Sequence, residues 1–256
     1  MKTFLIAVLS ATVALVSGIA FAQEEAEGPR FYPVETFTCN YNEGKGPADM
    51  EKAIDAWSKF LNKKEVTTYW AATVTPYYFG AETFDIGWLG AWTNGEAMGA
   101  GTDMWLSEGG EHAEKFAAAV TCDTHSNFAS TEIKAPPEGP SPDNIVITFS
   151  DCNVHDGKAF PEVLEASNAW AEYQVEAGYE GGSWMLFPVF GGGGAEFDFK
   201  MVESFENYTV LGQFYDLYGN GGGYQKHGEL IGELYECDDA RVYNATIRRR
   251  IPAPAE

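Results

Sequence analysis

The sequence predicts an α+β fold of two fused β-α-β-β-α-β units, and three observations carry that prediction. First, the heptapeptide CNYNEGK at 39–45 returns as CNVHDGK at 152–158. Second, other landmarks return at the same offset of 113 residues (152 − 39): Trp57 with Trp170, Phe84-Asp85 with Phe197-Asp198, and Gly99 with Gly212. After a two-residue insertion an offset of 115 (227 − 112) pairs His112 with His227, Cys122-Asp123 with Cys237-Asp238, and Phe128 with Tyr243. Landmarks kept in one order over such a length point to a unit written twice. Third, the Pro-rich stretch KAPPEGPSPDN (134–144) reads as a linker, so the expected units are 31–133 and 145–251.

Each copy opens with a strand, ETFTCNY in the first and IVITFSDCNV in the second. Pro47 and Pro161 then suit the first turn of a helix, where no backbone N–H is needed. Met50, Ile54, Trp57 and Leu61 recur at helical spacing, as do Val163, Ala166, Trp170 and Tyr173. Two aromatic-rich strands follow. Alternation puts Phe84, Ile86, Trp88 and Trp92 on one face of the second of these, and Phe197, Phe199, Met201 and Phe205 on the corresponding face in the other copy. A second helix reads best in His227, Leu230, Ile231 and Leu234. The closing strands are FASTEI and YNATIR.

This order is that of the ferredoxin-like unit. The chain resembles the dimeric α+β-barrel superfamily, in which two such units pack sheet against sheet; here both would belong to one chain. It is also similar, over nearly the whole mature length, to a group of secreted proteins of marine bacteria that carry the duplicated C-N-x-x-[DE]-G-K pattern, a resemblance that brings no activity with it. The superfamily includes monooxygenases, decarboxylases, haem enzymes and plain binding proteins, so it leaves function open. In that fold the first strand and the second helix run towards the same end. The resemblance therefore implies disulfides Cys39–Cys122 and Cys152–Cys237, each stapling the last helix of a unit to its first strand. A fused pair needs no partner chain, so a monomer with pseudo-two-fold symmetry is expected.

Lys2, an apolar run from Phe4 to about Ala20 and the small-residue site Ala20-Phe21-Ala22 form the pattern of a secretory signal peptide over 1–22. Four cysteines without a CxxC pair fit disulfides in a periplasmic or extracellular protein better than a zinc site. A net charge of −22 repels phosphate backbones and anionic bilayers, which argues against nucleic-acid and membrane partners. The one basic cluster, Arg248-Arg249-Arg250, suits local ion pairing. With 45% hydrophobic residues the chain can bury a large core, so it does not read as disordered.

Chemistry is harder to find. No Gly-x-Ser-x-Gly, no Cys–His pair in context and no glycosidase-like carboxylate pair emerges. GGGGAEFDF (191–199) lacks the Lys-Ser/Thr of a phosphate loop and opens a strand, so it reads as a hairpin loop. In the repeated turn, Lys45 and Lys158 precede helix starts whose amides lack partners, a place for an anion. In the second copy, beside Asn153, His155 and Asp156 replace Asn42 and Glu43, and histidine is the residue type suited to acid–base work near neutral pH. The plainer reading has Asn40 and Asn153 closing turns, Gly44 and Gly157 supplying left-handed residues, and both lysines solvated. His112 and His227 hold matching places where a proximal haem ligand is conceivable, with ordinary packing as the simpler account. No metal and no cofactor is expected. The aromatic stripes say most. Trp70, Trp88, Trp92 and Trp105, with Trp184, Phe197, Phe199 and Phe205, either fill core layers or line an inter-sheet cavity suited to an apolar or aromatic small molecule. The leading functional expectation is small-molecule binding in that cavity. The alternatives are a cofactor-independent monooxygenase- or isomerase-like enzyme, by analogy with the superfamily, and a structural envelope module.

Overall fold

The computed structural model describes residues 28–252, apart from 82, 83, 140 and 193. The signal peptide expected at 1–22 lies outside the described residues. The first unit comprises β1 (Tyr32–Tyr41), α1 (Pro47–Lys63), β2 (Tyr69–Tyr78), β3 (Ile86–Trp92), α2 (Gly95–Glu108), α3 (Gly110–Ala119) and β4 (Val120–Lys134). The second comprises β5 (Asn144–Val154), α4 (Phe160–Glu176), β6 (Gly182–Phe190), β7 (Phe199–Phe205), α5 (Tyr208–Gly219), α6 (Gly223–Ile231), β8 (Tyr235–Cys237) and β9 (Arg241–Arg249).

Within each unit the strands lie in the order fourth-first-third-second. These are β4-β1-β3-β2 in the first unit; in the second they are β9-β5-β7-β6, with β8 completing the fourth strand beside the end of β5. Two further antiparallel pairings, β2 with β9 and β4 with β6, join the two sheets edge to edge. The result is a closed barrel of eight strands, in which every sheet edge is paired. Register sets both first-strand ends on one rim: Asn127 of β4 lies opposite Phe190 near the end of β6, while Lys134 lies opposite Ser183 near its start.

Strand alternation divides the apolar side chains between two layers. Val34, Val74, Leu89, Phe128, Ile147, Leu186, Val202, Tyr243 and Ala245 pack together inside the barrel. Outside it, Met50, Ile54, Trp57 and Leu61 of α1 cover Tyr69, Ala71 and Ile86. In the second unit Val163, Ala166 and Trp170 of α4 cover Met185, Phe199 and Tyr235. Pro47 and Pro161 sit in the first turns of α1 and α4, as their fixed φ requires.

The repeated heptapeptide occupies the same niche twice. Gly44 and Gly157 adopt φ of 73° and 79°, in the left-handed region where a side chain is strained. Asp85 accepts from Tyr41 N and Asp198 from Val154 N, each at 2.8 Å. Asn42 N donates to Ala119 O, and His155 N to Leu234 O. The turn therefore docks each first strand against the loop before the third strand and the end of the second helical segment.

Two expectations need correction. The second helix of each unit is broken into α2–α3 and α5–α6, and Leu234 falls beyond α6. At the first break an added Cβ on Gly109 would lie 2.5 Å from Trp105 O, so this joint needs glycine. The disulfides pair as expected, Cys39–Cys122 and Cys152–Cys237. They do not staple a helix, however: Cys122 lies near the start of β4 and Cys237 ends β8, so each bridge joins neighbouring antiparallel strands at the common rim. The three terminal arginines pair locally. Arg248 binds Glu51 and Thr73, Arg249 binds Asn62 and Val66 O, and Arg250 binds Asp143. Among the described residues no helix is long and apolar enough to cross a membrane.

Candidate functional site

On the helix-facing side of the first sheet, four polar side chains form a connected chain. Tyr69 opens β2 and lies across β3 above Gly90, where an added Cβ would fall 1.9 Å from its hydroxyl. Only glycine at 90 lets the phenol reach β1. There Tyr69 Oη donates to Glu35 Oε1 at 2.6 Å and accepts from Trp88 Nε1 at 2.8 Å. The second Glu35 oxygen lies 3.2 Å from His125 Nε2 on β4. His125 is stacked on Phe37 with centroids 3.8 Å apart, and its side chain is 58% exposed. An ionised carboxylate only accepts, so Nε2 carries the proton and Nδ1 is the basic nitrogen of the neutral ring.

Burial raises the Tyr69 pKa well above its ordinary value, and the neighbouring Glu35 charge adds to this. The phenol thus stays protonated and fixes Glu35. Two residues beyond His125, on the same strand face, the amide nitrogen of Asn127 points at the Met98 thioether of α2 at 3.5 Å. Sulfur is a weak acceptor, so this donor is poorly used. α2 itself contributes no buried residue to the core; it lies over the chain with Gly101 against the Trp92 ring.

The second unit places a different polar group in the equivalent layer. Burial pushes the Glu203 carboxyl up to about 7, opposed by Gln174 and Lys134. Lys134 donates to the carbonyls of Tyr179 and Gly181 and lies 4.5 Å from the Tyr179 ring centre. With a folded value above the unfolded one of 4.5, the folded state holds the extra proton between them. Stability should therefore fall as pH rises from about 4.5 to about 7, by up to about 3 kcal/mol. Burial lowers the His227 value, which opposes this trend on the acid side. Urea midpoints of wild type and Glu203→Gln at about pH 5 and about pH 7.5 separate the two contributions. The variant should lose the decline; an unchanged pH slope would remove Glu203 as its source.

The aromatic positions singled out by sequence fall into two groups. Trp70, Trp184 and Phe197 pack against the barrel interior. Trp88, Trp92 and Trp105 lie under the helices of the first unit, Phe199 under those of the second, and Phe205 against α5. The stripes were expected on one face, but Phe84 and Phe197 precede their strands and turn inward, while the residues that follow turn outward. Between the sheets Phe84 and Phe197 join the packed cluster described above.

Of the turn residues, Lys45 pairs with Asp49 at 3.8 Å, and Lys158 is exposed. His155 is half-buried. Asn153 and Phe197 do meet, at a rim recess of roughly 610 Å³ that also includes Asp151, Glu196, Lys200 and Asp238. Here Asp151 holds Lys200 and Arg241, and Arg241 also binds Asp238 at 2.6 Å. Sequence reading missed Glu35, Tyr69, His125 and Asn127. The alternation of ETFTCNY places Glu35 and Phe37 on one face, but nothing local reveals a histidine on a strand 90 residues away.

No protein-family profile and no curated protein sequence matches the chain. Solved structures do. A haem-binding protein from Thermus thermophilus aligns at 11% identity over 84% of this chain and 91% of its own, with a TM-score of 0.52. A protein classed as a candidate monooxygenase from Lactobacillus acidophilus NCFM aligns at 13% identity over 87% and 95%, with a TM-score of 0.54. A chlorite dismutase variant from Candidatus Nitrospira defluvii aligns at 7% identity over 84% and 91%, with a TM-score of 0.50. The fold is that of the dimeric α+β barrels. Identities this low show the fold alone.

The two histidines at matching positions, His112 and His227, both lie against aromatic rings. His227 packs edge-on against Trp170 at 5.2 Å and Tyr218 at 5.7 Å, beside the filled layer of Met185, Phe199, Ile231 and Tyr235. His112 lies 4.6 Å from the Phe60 ring. Both imidazoles pack against aromatic rings, and the buried Nδ1 of His112 has no hydrogen-bond partner among the described residues. Among the described residues no three His, Cys, Asp or Glu side chains converge on a metal position.

Proposed function

We propose that the protein is an exported acid–base enzyme that removes a proton next to the carbonyl group of a small, largely apolar substrate. The observation that carries this is the Tyr69–Glu35–His125 chain with Asn127 beside it. Glu35 fixes the His125 tautomer, leaving Nδ1 as base. Asn127 exchanges its weak thioether contact for the substrate carbonyl and donates to the oxygen as charge develops there. Phe37, Met98 and the α2 helix supply an apolar cover. This is the isomerase- or cofactor-independent oxygenase-like alternative read from the sequence, located on the outer face of the first sheet and not between the sheets. Two disulfides and the N-terminal leader pattern support export.

The test is a panel of aryl ketones and 1,3-dicarbonyl compounds incubated with the protein in D2O, following loss of the α-proton signal by NMR. At least one member should exchange well above its buffer rate, and Asn127→Ala should slow it. Buffer rates for every compound would overturn the reading.

A second reading, binding without turnover, is supported by the rim recess, whose volume suits a small ligand.

A further inference from the structure

Positive charge is gathered at one place on this acidic chain. Six of its 16 basic residues fall in two short stretches, 59–64 at the end of α1 and 248–250 at the end of β9. Where these meet, Arg248, Arg249 and Arg250 share a recess of roughly 570 Å³ with Ser58 and Asn62. The β2–β9 register explains the gathering. Ala72 lies opposite Ile247 and Ala71 opposite Arg249, so Arg248 is the extra residue of a bulge. Successive arginines therefore reach the same helix, Arg248 at Glu51 and Arg249 at Asn62. Their charges are met unequally. Arg241, Arg248 and Arg250 each hold a carboxylate; Arg249, among the described residues, does not. It donates from Nη1 to Asn62 Oδ1 at 2.9 Å and from Nη2 to the Val66 carbonyl, both neutral acceptors. Its Nε–H is buried with no partner among the described residues. Burial disfavours the charged form, yet a guanidinium cannot shed its proton to escape that cost. In a chain with 38 acidic side chains, this cation lacks a counter-ion of its own.

We propose that this recess binds the carboxylate of a small organic acid, with Arg249 as the cation it neutralises. Each Nη of a guanidinium carries two hydrogens, and Asn62 and Val66 use one apiece, so a donor remains on both for a carboxylate. A single unmet charge suits a monoanion. The second charge of a phosphate would face Glu65 on the lining, with Glu51 and Asp143 already held by the flanking arginines. Val66 and Pro252 offer the remainder of the acid an apolar surface, and the volume is that of a small-molecule site. No residue of the Tyr69–Glu35–His125 chain lines this recess, so the proposal stands apart from the acid–base reading.

The experiment titrates the full chain with butyrate, inorganic phosphate and chloride at constant ionic strength. NMR follows the Arg249 Nε–H signal, identified by its loss in Arg249→Lys, and the backbone amides of Val66 and Thr67. Butyrate should shift these signals to saturation, phosphate should bind more weakly, and chloride should leave them in place. Arg249→Lys should weaken butyrate binding roughly tenfold, the worth of a hydrogen bond to a charged group. Arg249 also holds the end of α1, so two further variants leave it untouched. Ser58→Asp puts a carboxylate of the chain's own into the recess and should abolish binding, while Glu65→Gln removes a repelling charge and should strengthen it. Circular dichroism checks that each variant is folded. Butyrate shifts no larger than those from chloride, or an affinity indifferent to both Arg249→Lys and Ser58→Asp, overturns the proposal. So does phosphate that binds more tightly than butyrate.

Discussion

Replacing Cys39 and Cys122 together by alanine is expected to lower stability by about 4 to 5 kcal/mol, and replacing Cys152 and Cys237 by a similar amount. The estimate follows from sequence separations of 83 and 85 residues, which each bridge closes in the unfolded chain. It depends little on the native contacts, because both bridges join strands that already share backbone register. Each loop encloses nearly a whole unit, so an open bridge frees the unfolded chain without disturbing the folded core. Urea titrations of the two double variants should show lower midpoints with nearly parallel slopes. If dithiothreitol leaves the wild-type midpoint unchanged, the bridges contribute nothing and the chain-entropy argument fails here.

The architecture was legible because each landmark is local. A Pro at a helix start, a Gly with positive φ in the repeated turn and a run of alternating aromatics each declare themselves within a few residues. Once the order of elements is known, the fourth-first-third-second sheet follows. What was illegible depends on distance or on a single-residue phase. Phe84 and Phe197 belong by sequence to their stripes, yet a carboxylate anchored on the first strand (Asp85 or Asp198) turns the chain between them and the residues that follow. That turn sends one ring into the barrel and the next under a helix. The break at Gly109 is local by contrast: its close contact is with Trp105, one turn earlier in α2.

The candidate site was hidden for the same reason. Glu35, Tyr69 and His125 lie on three strands of one sheet, and only the β1–β3, β2–β3 and β1–β4 registers bring them together. Asymmetry concealed it further. Where the first unit has Gly90 beneath Tyr69, the second, 113 residues on, has Glu203, so a search for matched residues in both copies passes over both.

His125→Asn is the substitution with the largest expected effect on chemistry. It keeps a side chain that can pair with Glu35, and Phe37 and the strand register stay as they are. What it removes is the basic nitrogen. Loss of a positioned general base costs typically 10²–10⁴ in rate, about 3 to 5 kcal/mol of transition-state stabilisation. Glu35→Gln should cost less, because the imidazole remains and loses only its preferred tautomer. Tyr69→Phe should cost least, since Glu35 keeps its contact with His125.

The decisive measurement is the α-proton exchange rate in D2O, on the best substrate of the carbonyl panel, for wild type, Glu35→Gln and His125→Asn side by side. The predicted order is wild type fastest, Glu35→Gln slower, and His125→Asn near the buffer rate. A His125→Asn protein that is folded and exchanges the proton as fast as wild type would contradict the assignment of this face as the active site.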